Sequence, residues 1–546
     1  MPTDPVYDCI VVGAGAAGIV VASKLAHAGK HTLLIERGDH LTYAIDGRRD
    51  HLRNQRLSRH GHNAGPPAGN PRVLVTPDGS EHVLEPWEPG YSNNAAAVGG
   101  GTPVYGMQAW RFHPDDFRMA SRYGVPAGSS LADWPIAYDD LAPFYEEAEW
   151  TVGVAGDADG NRNQGPRAKA YPMPPVPRYA PGNTLARGAA ALGIGAFTPP
   201  LLLNTVPHDG RAACIQCGSC VGFTCPSDSK NGTHNAVLPK ALATGALELM
   251  AATMVAAIET DAVGKVTGVT IVGADGARRA IRSRAVVLSA GAVETARLLL
   301  ASRSKFHPQG LGNAYDQVGR HLQGHYYPGA FGLFEHDVYE PRGPGVSIAT
   351  TDFSHGNDDV IGGAMLADDF VPLPIIFFKQ YLPPDLPRWG LAAKDFMRRN
   401  YRRVINLRGP VQEIPSPDGR VTLDPGVTDK FGLAVVRLSG TTHPETVRTA
   451  DFIGERARDW LRASGAIRVW GEGPVLRLSG GQHQSGTCRM GDDPATSVTD
   501  RWGRVWDHDN LFVSDASLHP TNGGFNPVLT IMALAFRNGA HVAASL

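Results

Sequence analysis

Three stretches of the chain set an unbroken apolar run against a small-residue turn, and the first of them organises the rest. Residues 9–12, Cys-Ile-Val-Val, make an uncharged, largely β-branched run of the kind that fills a strand covered on both faces. Residues 19–28 read as a helix stopped by Gly29, and residues 31–35 form a second strand ending at the acid Glu36. Residues 285–301, AVVLSAGAVETARLLLA, repeat the order of buried strand, small-residue turn and helix. A third copy runs from a strand at 511–513, reaching Asp515, to a helix at 528–536, with Asn526 expected as its N-cap and Pro527 at its first position. Between these lie an acidic helix at 138–150, a strand at 251–258, and a hairpin of 266–272 with 280–284. From 322 to 470 the pattern changes to strand-like stretches at 330–334, 360–366 and 420–424, separated by loops such as 372–389.

These elements predict an α/β protein: a Rossmann-like domain on a mostly parallel sheet, joined to a second α+β domain on a mainly antiparallel one. The first is expected to be discontinuous, drawn from residues 1–160, 205–321 and 471–546, and the second from 161–204 and 322–470. The opening turn carries Gly13, Gly15 and Gly18 in the spacing G-x-G-x-x-G, with Ala16 and Ala17 between. Gly13 permits a tight turn, Gly15 lets backbone approach a pyrophosphate, and Gly18 lets helix and strand pack closely. The helix N-terminus then offers unpaired N–H groups to phosphate, and Glu36, followed by Arg37, stands where a ribose diol would be held. A membrane span is the competing reading of this apolar stretch. Only 15 residues separate Asp8 from Lys24, against the roughly 20 a bilayer core needs, and three glycines interrupt them.

Composition narrows the partners. Net charge is −2, with 42% hydrophobic and 19% charged residues, and no basic tract accompanies an aromatic ladder, so nucleic acid is not an expected partner. The N-terminus shows no charged-plus-apolar leader or twin arginine, which predicts a cytoplasmic protein with no membrane partner. Residues 48–89 are polar, with His51, His60 and His62 read as solvated rather than metal-bound, in a long loop suited to act as a lid. Residues 93–117 contain Gly99, Gly100, Gly101, Thr102, Val104, Gly106 and Met107 among embedded apolar side chains, which a linker has no reason to carry. They are read as a segment wrapped on a flavin ring. Cys214, Cys217, Cys220 and Cys225 form C-x2-C-x2-C-x4-C-P, close to a ferredoxin run. An iron–sulfur cluster, zinc, disulfides and reduced structural thiols all remain open readings of it.

The last two segments, residues 481–491 (GQHQSGTCRMG) and 510–539, complete a set that resembles the glucose–methanol–choline oxidoreductases, flavoenzymes that oxidise alcohols. The resemblance implies FAD as cofactor and an active site pairing His483 with Asn526, a version similar to pyranose oxidases and glycoside-oxidising relatives. It also implies a cofactor-binding set of Gly13, Gly15, Ala16, Ala17, Gly18, Glu36, Arg37, Gly100, Gly101, Thr102, Gly106, Met107, Val255, Ala290, Asp515, Ala516, Asn526, Pro527 and Thr530, and no catalytic metal. Pyranose oxidases tether the flavin through a histidine. Val104 stands at the corresponding position here, so noncovalent FAD is expected. His483, with an ordinary pKa near ~6.5, suits abstraction of a hydroxyl proton, while the carbon's hydride passes to flavin N5. The helix dipole behind Asn526 favours an anionic reduced flavin. His113, His519 and His541 are read as structural. The expected reaction oxidises a ring hydroxyl of a sugar or glycoside to a ketone, with dioxygen or a quinone-like acceptor. The alternatives are a sugar-acid or other alcohol dehydrogenase relaying electrons through a Cys214–Cys225 cluster, and a flavoprotein without turnover.

Overall fold

The structure is a computed structural model that describes residues 6–40, 65–88, 90–91 and 95–546; His51, His60 and His62 lie outside the described residues. Its central sheet runs Leu247–Met250, Thr32–Ile35, Tyr7–Val12 and Arg278–Leu288, with Leu511–Val513 beside the last, and all of these pairings are parallel. The strand and turn patterns at 9–12, 31–35, 285–288 and 511–513 therefore meet in one sheet. The hairpin expected from 266–272 and 280–284 is present, but its second arm does not end before 285. Arg278–Leu288 is one 11-residue strand. Its first half alternates exposed and buried residues and pairs antiparallel with Val266–Val272, while 285–288 are buried on both faces and pair parallel. One strand thus serves two sheet types. The strand expected at 251–258 starts only at Met254, and Leu247–Met250 adds a parallel edge that the pattern did not reveal.

Helix Gly18–His27 packs against the closing helix Val528–Ser545. The latter continues well past Phe536, through an Asn538-Gly539 pair that reads as a stop. Gly539 is there for proximity: a Cβ on it would lie 3.2 Å from the Cα of Val21. The acidic helix is shorter than expected, Tyr138–Ala148, because a π-turn follows at Glu149–Gly153.

The second unit is built on an antiparallel sheet in the order Arg468–Trp470, Gly329–Leu333, Val404–Arg408, Leu366–Asp368, Ala349–Thr350 and Ala196–Phe197. Helices Pro444–Ala463 and Ala180–Leu192 bury Trp460, Leu461 and Leu185 with it in a separate core. The strand expected at 360–366 is confined to its end. Gly362 sits at φ +64° and a Cβ on Gly363 would meet the Phe353 carbonyl oxygen at 1.8 Å, so the chain turns there instead. The strand expected at 420–424 exists as Arg420–Thr428 but belongs to neither sheet. It pairs with Ala434–Ser439, which runs parallel to Arg72–Val75, itself hairpinned to Glu81–Leu84. The described part of the expected lid loop thus contributes two strands to this sheet. A small antiparallel sheet of Val411–Gln412, Gln323–Tyr326 and Gln482–Ser485 joins the two units. Among the described residues no helix is long and apolar enough to cross a membrane.

The closeness of the first turn makes a prediction. A Cβ on Gly18 would lie 1.8 Å from the Gly13 carbonyl oxygen, which is backbone and cannot swing away. Gly18→Ala is expected to cost about 1–3 kcal/mol of stability through overpacking, measured as a lowered denaturation midpoint. A midpoint equal to that of the parent would show that the helix is free to shift.

Candidate active site

The glycine turns divide into those that touch protein and those that face open space. A Cβ on Gly13, at φ +101°, would lie 2.4 Å from the Ser289 carbonyl oxygen, so the first and second turns are in backbone contact. Gly99 N–H donates to the Ala14 carbonyl at 2.7 Å and Thr102 Oγ1 to the Gly99 carbonyl at 2.8 Å, which lays the second glycine segment across the first turn. Gly100, in the left-handed region at φ +57°, then faces Gly15. By contrast, a Cβ on Gly101 or Gly291 would meet nothing within 4 Å, and one on Gly15 nothing nearer than Gly100 at 4.0 Å. Three turns packed tightly on one side and bare on the other form a cradle that fits a dinucleotide's phosphates. Ala16 and Ala17 carry the first turn into the helix, where the Ala17 carbonyl accepts from Val21 N–H at 2.9 Å.

Glu36 is buried and braces this cradle, accepting from Ala14 N–H at 2.9 Å and Gly38 N–H at 2.8 Å; burial pushes its carboxyl up against those bonds. Asp515 links the second and third turns. It accepts from Gly291 N–H at 2.9 Å, Thr295 Oγ1 at 2.6 Å and Ser517 N–H at 2.8 Å. Ala290 N–H donates to Thr295 Oγ1 at 3.2 Å, and the Ala516 carbonyl accepts from Gly486 N–H at 3.2 Å. Val255 lies on the strand Met254–Thr260 with its carbonyl 3.4 Å from Arg297 Nη2. A Cβ on Gly106 would sit 2.3 Å from the Phe370 ring, so here the segment meets the second unit; Met107 beside it is buried at φ +64°. Two residues of the expected cofactor set also bond to protein. Thr530 shares a 2.7 Å hydrogen bond with Tyr145, and Arg37 pairs with Glu294 at 3.3 Å.

The expected catalytic pair does converge, through residues the sequence pattern passed over. His483 has φ +58°, unusual for a side chain with a Cβ, and its carbonyl is held by Asn522 Nδ2 at 2.8 Å. Its Nδ1 lies 3.0 Å from Nδ1 of His325 and 3.4 Å from the hydroxyl of Tyr327. Tyr327 in turn accepts from Asn526 Nδ2 at 3.0 Å. His325 and Tyr327 stand two residues apart, as strand alternation requires of neighbours on one face, and that spacing was the signal available. Asn526 is not the N-cap. Pro527 is, its carbonyl accepting from Ile531 N–H at 2.9 Å, and this leaves Asn526 to the site. The Asn526 Oδ1 is buried with no partner among the described residues, an orphan that a bound group's donor would satisfy. His519 is more than scaffold: its Nδ1 lies 3.1 Å from the Asn522 Oδ1, orienting the amide that holds His483. His541 stacks on Trp502 with ring centres 4.5 Å apart.

Two other clusters gather metal-ligating residue types. Cys214, Cys217, Cys220 and Cys225 are free thiols, and no three of their sulfurs come within 4.8 Å of one another. Burial raises the thiols of Cys214 and Cys220, whereas the hydroxyls of Ser227 and Ser229 outweigh burial at Cys225 and lower it. His113, Asp115 and His355 do bring donor atoms within 4.8 Å of each other. Their atoms are engaged, however: His113 Nδ1 accepts from Asp115 N–H at 3.1 Å, Arg122 pairs with Asp115 at 3.1 Å, and His355 bridges Tyr123 at 2.9 Å and Asp116 at 3.1 Å.

A parallel sheet with three bare glycine turns, closed by a His–Asn pair where the last helix starts, defines a dinucleotide-dependent oxidoreductase. The chain belongs to the GMC oxidoreductase family: family models of that description match residues 7–327 and 415–535. It is an FAD-dependent oxidoreductase of the type acting on CH–OH groups. Over its whole length it is 30% identical to paromamine 6'-oxidase of Streptomyces fradiae, covering 92% of that protein. It is 31% identical to 2-methyl-1,2-propanediol dehydrogenase of Mycolicibacterium austroafricanum, covering 98% of this chain and 95% of the other. Among solved structures it shares its fold with pyridoxine 4-oxidase from Mesorbium loti (TM-score 0.64, 17% identity, 98% and 99% covered). Formate oxidase is similar again (TM-score 0.66, 15% identity, 99% of each chain).

Arg37 owes its place to a buried carboxylate. Glu294 also pairs with Arg72 at 3.1 Å and Arg297 at 2.8 Å. Burial alone would raise the Glu294 carboxyl, but Arg37, Arg297 and Arg72 together hold it well below the usual range. Glu294→Gln leaves three buried guanidinium groups short of their counter-ion and is expected to cost about 3–5 kcal/mol. The sign with pH follows: this contribution is complete above the unfolded carboxyl's pKa of about 4.3 and fades as pH falls toward the lower folded value. Urea unfolding of parent and variant across that window checks it; parallel curves of stability against pH would refute the charge assignment.

Proposed function

We propose that the chain oxidises a hydroxyl of a sugar or glycoside to a carbonyl, with His483 as the base and Asn526 as the second ligand of the reacting oxygen. The observation that supports this most is the convergence of these two side chains on Tyr327, at 3.4 and 3.0 Å, although 43 positions separate them in sequence. When bound, FAD supplies the acceptor for the hydride leaving the carbinol carbon. His483 takes the hydroxyl proton, and Asn526 holds the oxygen so that O–H and C–H break in the right geometry. Tyr327 keeps the imidazole and the amide a fixed distance apart.

The substrate class is supported by relatives named as a paromamine 6'-oxidase and a 6'''-hydroxyparomomycin C oxidase, each matched at 30% identity. A ring hydroxyl yielding a ketone is the first product to seek. Since both of those names specify position 6, an exocyclic hydroxymethyl yielding an aldehyde is the second. Dioxygen and a quinone-like compound are the proposed acceptors. FAD is proposed to be noncovalent, since Val104 offers no nucleophilic atom and is fully buried. The division into a cofactor domain of 1–160, 205–321 and 471–546 and a substrate domain of 161–204 and 322–470 belongs to the same reading.

Anaerobic mixing of the holoenzyme with a panel of sugars and aminoglycosides, followed by product analysis, tests the proposal. At least one is expected to bleach the flavin. His483→Ala should retain FAD and lose reduction by a factor on the order of 10²–10⁴. A variant that bleaches at the parental rate would remove His483 from the mechanism.

A further inference from the structure

We propose that His325 is the positioning residue of this site: it fixes the tautomer of His483 so that Nε2 is the nitrogen that receives the substrate's proton. The inference rests on the reading of His483 as the base, and it follows from the hydrogen bonds two nitrogens away. His325 is fully buried, with Nε2 2.8 Å from the Gly523 carbonyl oxygen and Nδ1 3.0 Å from Nδ1 of His483. A carbonyl only accepts, so Nε2 of His325 carries its proton. Burial holds that ring neutral down to about pH 4, so its Nδ1 is a lone pair. Two lone pairs at 3.0 Å would repel, and the other donor in reach of Nδ1 of His325, the Asn522 amide, stands farther off at 3.5 Å, so Nδ1 of His483 is the donor. The unprotonated nitrogen of His483 is then Nε2.

The hydroxyl of Tyr327 would favour the opposite tautomer if it donated to Nδ1 of His483. At 3.4 Å against 3.0 Å it is the weaker contact, and the amide of Asn526 already donates to its oxygen. The other charged or titratable groups around His325 do not compete for its ring nitrogens. Glu413 accepts from the Gly324 N–H, Arg477 donates to the His325 carbonyl at 3.0 Å, Asp116 acts only through space, and His519 is turned to Asn522. The step balances simply: the substrate O–H breaks, an N–H forms at Nε2, and the resulting imidazolium keeps its Nδ1–H on the His325 lone pair. No carboxylate takes part.

Substitution can separate the acceptor from the donor of His325. Asparagine places a carbonyl oxygen near the position of Nδ1 and keeps the acceptor. Glutamine reaches the position of Nε2 and keeps only the donor to Gly523, and leucine keeps neither. His325→Asn is expected to reduce flavin within a few-fold of the parent. His325→Gln and His325→Leu should lose a factor on the order of 10² with substrate affinity little changed, as for a misplaced general base. Their limiting pH for reduction should also move, which loss of packing alone would not cause. Independently of turnover, ¹⁵N-histidine NMR of the parent should show His483 as the Nδ1–H tautomer, converting to a mixture in His325→Leu. An Nε2–H tautomer in the parent, or a leucine variant with parental rate and pH profile, would overturn the proposal. If no substrate reduces the parent while the NMR result holds, the functional reading fails and the tautomer assignment stands.

Discussion

One carboxylate holds His325 and His483, from two different strands, in register. Glu413 is almost completely buried and accepts from the N–H groups of Gly324 at 2.9 Å, Gly480 at 2.7 Å and Gly481 at 3.2 Å. These belong to two different strands, Gln323–Tyr326 and the approach to Gln482–Ser485, which bring His325 and His483 to the site. A buried carboxylate accepting several backbone donors is among the stronger anchors available to a protein, because each bond is charge-assisted in a low dielectric. Here burial still pushes its carboxyl up, with Arg477 and the three amides acting the other way. The sheet that joins the two units is only three strands wide, so the register of the histidine pair depends on this clamp rather than on strand length.

The glycines of the opening fingerprint divide the work of cofactor binding between contact and vacancy. Gly13 and Gly18 are needed because backbone oxygen stands within 2.4 Å and 1.8 Å of where a Cβ would be. Gly15 and Gly101 differ: among the described residues, a Cβ on Gly101 would meet nothing within 4 Å and one on Gly15 only Gly100, at 4.0 Å. Glu36 and Asp515 brace this arrangement from behind, each accepting from backbone amides of the turns. Both are therefore part of the scaffold whatever further bonds they make to a ribose or ribityl hydroxyl.

The sequence made the parallel sheet and the His483–Asn526 pair legible because both are local patterns: a buried run with a glycine turn, and two compact motifs near the C-terminus. It did not reveal the residues that make the pair work. His325 and Tyr327 lie in QGHYY, a short run with no motif spacing around it, and their partners are 158 and 199 positions away. Tertiary pairing of that kind leaves no periodicity to read. The same limit explains the Arg420–Thr428 strand, correctly seen as a strand but assigned to the wrong sheet, since its parallel neighbour Arg72–Val75 joins it only through Ala434–Ser439. The Asn526 cap was a local rule applied correctly and overridden. Pro527 takes the cap position and frees the amide for the hydroxyl of Tyr327.

The electrostatics around His483 bear on why a second histidine, rather than an acid, stands behind the proposed base. A carboxylate at 3.0 Å would hold His483 protonated near neutrality and deprive it of the lone pair needed to accept a proton. A buried neutral imidazole offers the same hydrogen-bond geometry without the charge. His325 and His519 are both pushed down to about 4 by burial, so neither competes for a proton released in the site. Asp116, which acts on His325 through space, is occupied by His355 and by the N–H of His113 at 2.7 Å. Of the groups shown in contact with the His483 ring, His325 and Tyr327 both stay uncharged at neutral pH, so neither of them holds a proton on the proposed base.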